Sequence, residues 1–300
     1  MKQILAKEKQ KFVIASVVAI AVLLSLESAS SAIATYQLKN FFQIAIYGYV
    51  FLVFIQSFVS DLHLKRALWQ SLKYRFEYML SPTHFAHYLN YLILPAVIYW
   101  STVFTLFLNP FTQQIKQLVI FFSTAALATS FWYMKTVFYK HHEAKRAIRQ
   151  SLFVIKSYAS YLSFLSAFGL ARYFGVLVFR SINLSVSGQE FFVFCVFMAT
   201  FLLFYQALFQ HHYMNAEVLG ILISSAIVLS GLGFVLYEFW NVNYFSGALL
   251  LSAVYNTIWS FVHHGLIDKN LSRKMIYEYL AVLFVIVVIV LSTTNFAERV

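Results

Sequence analysis

Long apolar runs separated by short polar joints dominate this chain. Read by length, they mark nine segments, at roughly 12–35, 40–60, 88–109, 114–137, 152–176, 190–210, 216–237, 244–263 and 276–294. Each is about twenty residues long, the length an α-helix needs to cross a hydrocarbon core of about 30 Å. The runs are solid rather than alternating, which argues against the ten-residue alternating strands of a transmembrane β-barrel. Helices also satisfy their own backbone hydrogen bonds in lipid. The first run follows Lys2, Lys7, Lys9 and Lys11, as a signal peptide would. It is too long for one and no small-residue cleavage site follows, so it reads as a retained helix.

The pattern changes once, between Asp61 and His87. There Leu64, Leu68, Leu72, Phe76 and Leu80 recur at helical spacing, with Lys65, Arg66, Lys73 and Arg75 between them. That is the signature of an amphipathic helix lying in a membrane interface. Pro82 is expected to end it before the third apolar run. No linker or second domain is visible. The expected organisation is one membrane domain over residues 1–300, with the 61–87 amphipathic loop inside it.

Composition sharpens the class. Apolar residues make up 61% of the chain and charged residues only 11%, where a soluble domain carries about a quarter charged residues. With 33 Phe against 9 Gly and 3 Pro, unbroken helices are favoured over strands and turns. The single cysteine, Cys195, excludes an intramolecular disulfide and a cysteine-based zinc or iron–sulfur site.

The net charge of +11 is a matter of topology. Placing the N-terminus inside puts 17 of the 22 Lys and Arg residues in inner segments, leaving Lys39, Lys116, Arg172, Arg180 and Arg299 outside. This is the positive-inside bias. The expected fold is therefore an all-α, polytopic membrane bundle of about nine transmembrane helices, N-terminus inside, with one amphipathic interfacial helix. A bacterial-type inner membrane or a plasma membrane is the expected location. The lipid bilayer and its anionic head groups are the expected partners, and nucleic acid is not. The stretch 152–188, where Arg172 and Arg180 bracket a second apolar segment, is where a re-entrant or tilted helix would alter the span count.

The nine histidines are the one feature that points to a chemistry. Under this topology all of them fall at inner helix ends or in inner loops. His141 and His142, His211 and His212, and His263 and His264 are doublets at the inner ends of three apolar runs, each followed by an acid, Glu143, Glu217 and Asp268 respectively. His84 and His87 stand at spacing i, i+3, on one helical face. His63, alone in the amphipathic loop, reads as a bystander. Imidazole is the commonest protein ligand for iron, copper and zinc, and carboxylates complete such sets or orient the rings. The candidate metal ligands are thus His84, His87, His141, His142, His211, His212, His263 and His264, with Glu143, Glu217 and Asp268 as carboxylate ligands or ring orienters. The competing reading makes the histidines interfacial or helix-capping residues.

Histidine clusters on the cytoplasmic side of a helical membrane protein resemble the membrane di-iron desaturases and hydroxylases. Their boxes are HxxxH or HxxxxH followed by two HxxHH-type motifs. Here the doublets lack the partner three residues upstream, and one HxxH stands at His84. The resemblance implies a di-iron centre, a redox partner and a hydrophobic substrate, by analogy only.

Other polar groups within the apolar runs have ordinary readings. Lys156, near the inner start of the fifth run, is expected to snorkel to the surface. Glu27 is expected to be solvated by Ser25, Ser28 and Ser30. Only Pro95 interrupts a run centrally, a weak signal for the broken helices of a transporter. No phosphate loop, nucleophile elbow, HExxH helix or dinucleotide glycine set is present. The leading expectation is a membrane-embedded metal-dependent enzyme, an iron oxidoreductase acting on a lipid or other hydrophobic substrate, with iron (dinuclear by the analogy) as cofactor and zinc or copper still open. The alternative is a non-enzymatic small-solute transporter or scaffold.

Overall fold

The computed structural model describes residues 2–35, 37–63, 82–108, 112–139, 146–173, 187–210, 215–239 and 244–293. Every regular element among them is helical. In chain order they are α1 (Lys2–Ala34), α2 (Leu38–His63), α3 (Pro82–Leu108), α4 (Gln113–Tyr139), α5 (Arg146–Tyr173), α6 (Gly188–Gln210), α7 (Ala216–Phe239), α8 (Tyr244–Val262) with a π-turn at His263–Ile267, and α9 (Arg273–Thr293). Each of the nine apolar runs corresponds to one of these helices. Several helices continue past the apolar part, as α1 does through its lysine-rich start, because the backbone ladder does not depend on side-chain polarity.

Seven helical stretches are long and apolar enough to cross a membrane: Phe12–Ala34, Leu38–Ile55, Leu152–Tyr173, Gly188–Leu208, Ala216–Glu238, Phe245–Ile267 and Arg273–Thr293. In α3, Leu92–Leu108 is a shorter apolar stretch. Helix α3 starts at Pro82, where proline's missing N–H costs nothing, and runs on through Pro95. The core of the expected amphipathic helix, residues 64–81, lies outside the described residues, as do 174–186.

The chain forms two compact units, Met1–Ile155 and Lys156–Val300. In the first, α1 packs along α2 and α4, and α3 packs against α4, α2 and α1. Its centre is a hydroxyl junction. Tyr99 donates to the Ala45 carbonyl at 2.9 Å, and the Ser25 hydroxyl meets the Tyr99 oxygen at 2.7 Å. Because the tyrosine proton is committed to Ala45, Ser25 is the donor in that second bond. Gly48 makes room for the arrangement, since a Cβ there would stand 2.8 Å from Ser25 Cβ and collide with the Ser25 and Tyr99 oxygens. Thr102 adds a second bridge, donating to Ser123 Oγ at 2.8 Å. Small and hydroxylated residues of this kind let helices approach closely in an apolar medium.

Glu27 departs from the sequence expectation. Its carboxylate accepts from Gln117 Nε2 at 3.1 Å, while Ser25 is engaged by Tyr99. A residue 90 positions away in sequence thus meets the acid first.

In the second unit, α6 packs along α7, and α8 packs against α7 and α9. Helix α5 meets α8 through a polar seam. Ser160 and Ser252 hydroxyls lie 2.7 Å apart, and Ser157 donates to Asn256 Oδ1 at 2.9 Å. Below the seam the Tyr255 ring meets Phe164 and Phe204 edge-on. Lys156 does not snorkel. It is only 6% exposed, and its ammonium sits 5.4 Å from the centre of the Trp259 ring. The ring face offers a cation an alternative to water.

Candidate metal centre

The seam on α8 leads towards His263 and His264, and there the helix changes pitch. Through Val262 it is α-helical; from His263 to Ile267 it opens into a π-turn. The Asp268 N–H donates to the His263 carbonyl at 3.0 Å, the i+5 to i bond of that wider turn. Such single π-turns are uncommon and occur often at functional sites. Lys269 then takes a left-handed backbone, φ 49°, the only non-glycine residue to do so among those described. That conformation costs roughly 1 kcal/mol or more. It ends the helix and lets the Asn270 N–H reach the His264 carbonyl at 2.9 Å.

The widened turn carries the Asp268 carboxylate back under both imidazoles. Its Oδ2 lies 3.2 Å from His263 Nδ1 and 2.9 Å from His264 Nδ1. On the far side of the second ring, His264 Nε2 is 2.9 Å from the Tyr279 hydroxyl, and these two rings stack. His263 meets the edge of Trp259, with ring centres 5.7 Å apart. The side chains of His263, His264 and Asp268 keep 23, 25 and 34% of their surface accessible, so the group is half-buried and open on one side.

The donor atoms of His263, His264 and Asp268 all lie within 4.8 Å of one another, a spacing that can hold a metal ion. Nitrogen and oxygen ligands at about 2.0–2.2 Å from one ion stand roughly 3–3.5 Å apart; the His263–Asp268 separation of 3.2 Å lies within that range and the His264–Asp268 separation of 2.9 Å just under it. The same separations also suit two Nδ1–H donors sharing one carboxylate. Tyr279 serves either arrangement. It donates to a lone pair on Nε2 when Nδ1 carries the proton, and it accepts from Nε2–H when Nδ1 faces a metal. A ligating histidine usually has such an oxygen behind its other nitrogen.

Of the residues singled out from the sequence, the structure brings together His263, His264 and Asp268. Glu217 lies exposed in the first turn of α7. His63 is the last residue of α2, and His84 and His87 fall in the first two turns of α3; their side chains are outside the described residues. His141, His142, Glu143, His211 and His212 also lie outside them. Tyr279 was not among the candidates. It stands 15 residues beyond His264 in the next helix, and nothing local marks it out from the neighbouring Tyr277.

The chain matches no family model, no curated protein and no solved structure.

Proposed function

We propose that this chain is a multi-pass membrane metalloenzyme in which His263, His264 and Asp268 supply a two-histidine, one-carboxylate ligand set for non-haem iron. The observation that carries the reading is the convergence of the three donor atoms within 4.8 Å at the end of an apolar helix. Two imidazoles and one carboxylate with coordination positions left open suit iron that activates dioxygen. Zinc and copper accept the same donors and are separate outcomes of the test below.

In this reading all nine helices span the bilayer with the N-terminus inside, as the Lys and Arg asymmetry favours. The end of α8 then lies at the inner face, where an acyl chain can enter from the lipid and dioxygen from either phase. A lipid or similarly hydrophobic molecule is the proposed substrate. Asp268 holds the two rings in a common orientation, Tyr279 fixes the second ring from behind, and Trp259 walls the first. Iron bound there would supply the activation of dioxygen. Oxidising a C–H bond to an alcohol consumes one dioxygen, two electrons and two protons and releases one water, so a reductant partner belongs to the proposal.

One specific observation favours a non-catalytic reading. The two His–Asp distances are ordinary hydrogen-bond lengths, so the trio also serves as a structural tie within the C-terminal cap of α8, whose carbonyls the Asp268 and Asn270 N–H groups satisfy. Metal analysis of the detergent-purified full chain separates the two. The enzyme reading expects iron near one equivalent or more, with loss of at least one equivalent in Asp268→Ala and His264→Ala. It also expects chelation to lower the melting temperature of the wild type but not of those variants. Metal-free wild-type protein that is insensitive to chelator, with both variants only less stable, would leave the cap. Stoichiometric zinc or copper would retain the site and remove the iron chemistry.

A further inference from the structure

A groove of about 580 Å³, lined by polar and apolar groups, lies between α1 and α2 in the first unit. Its α1 wall is Glu27, Ser28 and Ser31, and its α2 wall is Asn40, Gln43 and Tyr47. Phe12–Ala34 of α1 and Leu38–Ile55 of α2 are apolar and long enough to span a membrane. Glu27 lies seven residues before the last residue of α1, about 10 Å along the axis at 1.5 Å per residue. The groove therefore carries polar groups into a stretch where lipid contact would be costly. Its size falls within the range of small-molecule sites.

The chemistry of the lining selects a ligand class. Glu27 is the only charged residue among the described residues that line it, so the groove favours a cation. Gln117 occupies one carboxylate oxygen, Oε2, and leaves Oε1 without a hydrogen bond among the described residues. The nearest basic residues in sequence to these groups, Lys39 beside Asn40 and Lys116 beside Gln117, do not line the groove. A single carboxylate with neutral hydroxyl and amide oxygens is a poor set for a hard divalent ion, which prefers several charged oxygens. An ammonium group fits better. It takes one counter-charge, several acceptors and, at Tyr47, an aromatic ring for cation–π contact.

We propose that this groove binds an ammonium group, with Glu27 as its counter-charge and Ser28, Ser31 and Gln43 as acceptors. The ammonium can come from a soluble amine or from the head group of an aminophospholipid. The proposal stands independently of the metal reading, and its test involves no histidine.

The test uses the full chain in phosphatidylglycerol nanodiscs, which contain no amine, and follows melting temperature. Ethanolammonium chloride is titrated against sodium chloride at equal ionic strength. In parallel arms, phosphatidylethanolamine replaces part of the lipid. Stabilisation by ethanolammonium identifies a soluble amine, and stabilisation by the aminophospholipid alone identifies the head group. In either case Glu27→Gln, which keeps an acceptor for Gln117, is expected to raise the half-maximal concentration about tenfold or more, the scale of one lost charged hydrogen bond. Ser31→Leu, which fills the groove and leaves Glu27 in place, is expected to abolish the effect, and it carries the test should Glu27→Gln fail to fold. No stabilisation by either source, or equal stabilisation of wild type and both variants, overturns the proposal.

Discussion

His264 and Tyr279 are joined twice, by a 2.9 Å contact between Nε2 and the phenol oxygen and by stacking of their rings with centres 5.9 Å apart. The pair ties the end of α8 to the second turn of α9 across the turn that contains Asp268. With Asp268 on Nδ1 and Tyr279 on Nε2, both ring nitrogens are engaged and the imidazole plane is set from both sides.

Tyr279→Phe tests whether that setting serves a metal. The substitution keeps the stacked ring and removes the oxygen. In the metal-site reading, affinity falls about tenfold to a hundredfold, the usual cost of losing the group behind a ligating histidine. Stability should fall only by about 0.6 kcal/mol, typical of one side-chain hydrogen bond between membrane helices. Chelator competition measures the first quantity and thermal unfolding the second. Unchanged metal affinity would show that Tyr279 only packs.

Gly48 and Gly231 should respond to alanine in opposite directions. A Cβ at Gly48 meets the Ser25 side chain and the Tyr99 hydroxyl, whereas at Gly231 nothing lies within 4 Å. Gly48→Ala is expected to cost about 1–3 kcal/mol through overpacking. Gly231→Ala, in the interior of α7, is expected to add roughly 0.5–1 kcal/mol by restricting the unfolded chain. Denaturant titration of both variants in one detergent reads the two signs. A neutral Gly48→Ala would mean that the junction of Ser25, Tyr99 and Ala45 yields easily.

The proposed nine-span topology makes a separate prediction. In a Cys195→Ala background, single cysteines at Gln113 and Ser187 should react with a membrane-impermeant maleimide added outside intact cells. Cysteines at Asn215 and Asn270 should react only after permeabilisation. Labelling of Asn270 from outside would move His263, His264 and Asp268 to the outer face and remove the inner-face substrate route.

Much of the secondary structure was legible from the apolar runs. Each of the nine led to a helix, since hydropathy and length act on consecutive residues and need no knowledge of neighbours. The expectations that failed concerned individual polar side chains. Lys156 was expected at the surface because a lone lysine in a span gains by reaching water. Trp259 on α8 instead gives it a ring face, and only 6% of the residue stays exposed. Glu27 was assigned to nearby serines, and the amide that reaches it comes from Gln117. For the candidate site, the residue types were readable at His263, His264 and Asp268, while the π-turn that turns Asp268 under both rings was not.

By itself, then, the sequence determined an all-helical chain with long apolar helices in a definite order, and a set of imidazoles and carboxylates at their ends. These are properties of single residues and of their immediate neighbours along the backbone. The tertiary structure alone decided that His264 meets Tyr279, that Tyr99 reaches Ser25 and Ala45, and that Glu27 faces Gln117. Each of those contacts depends on the rotation and depth of one helix against another. Apolar faces of similar hydropathy leave that rotation nearly free, and close packing around small residues such as Gly48 is what selects it.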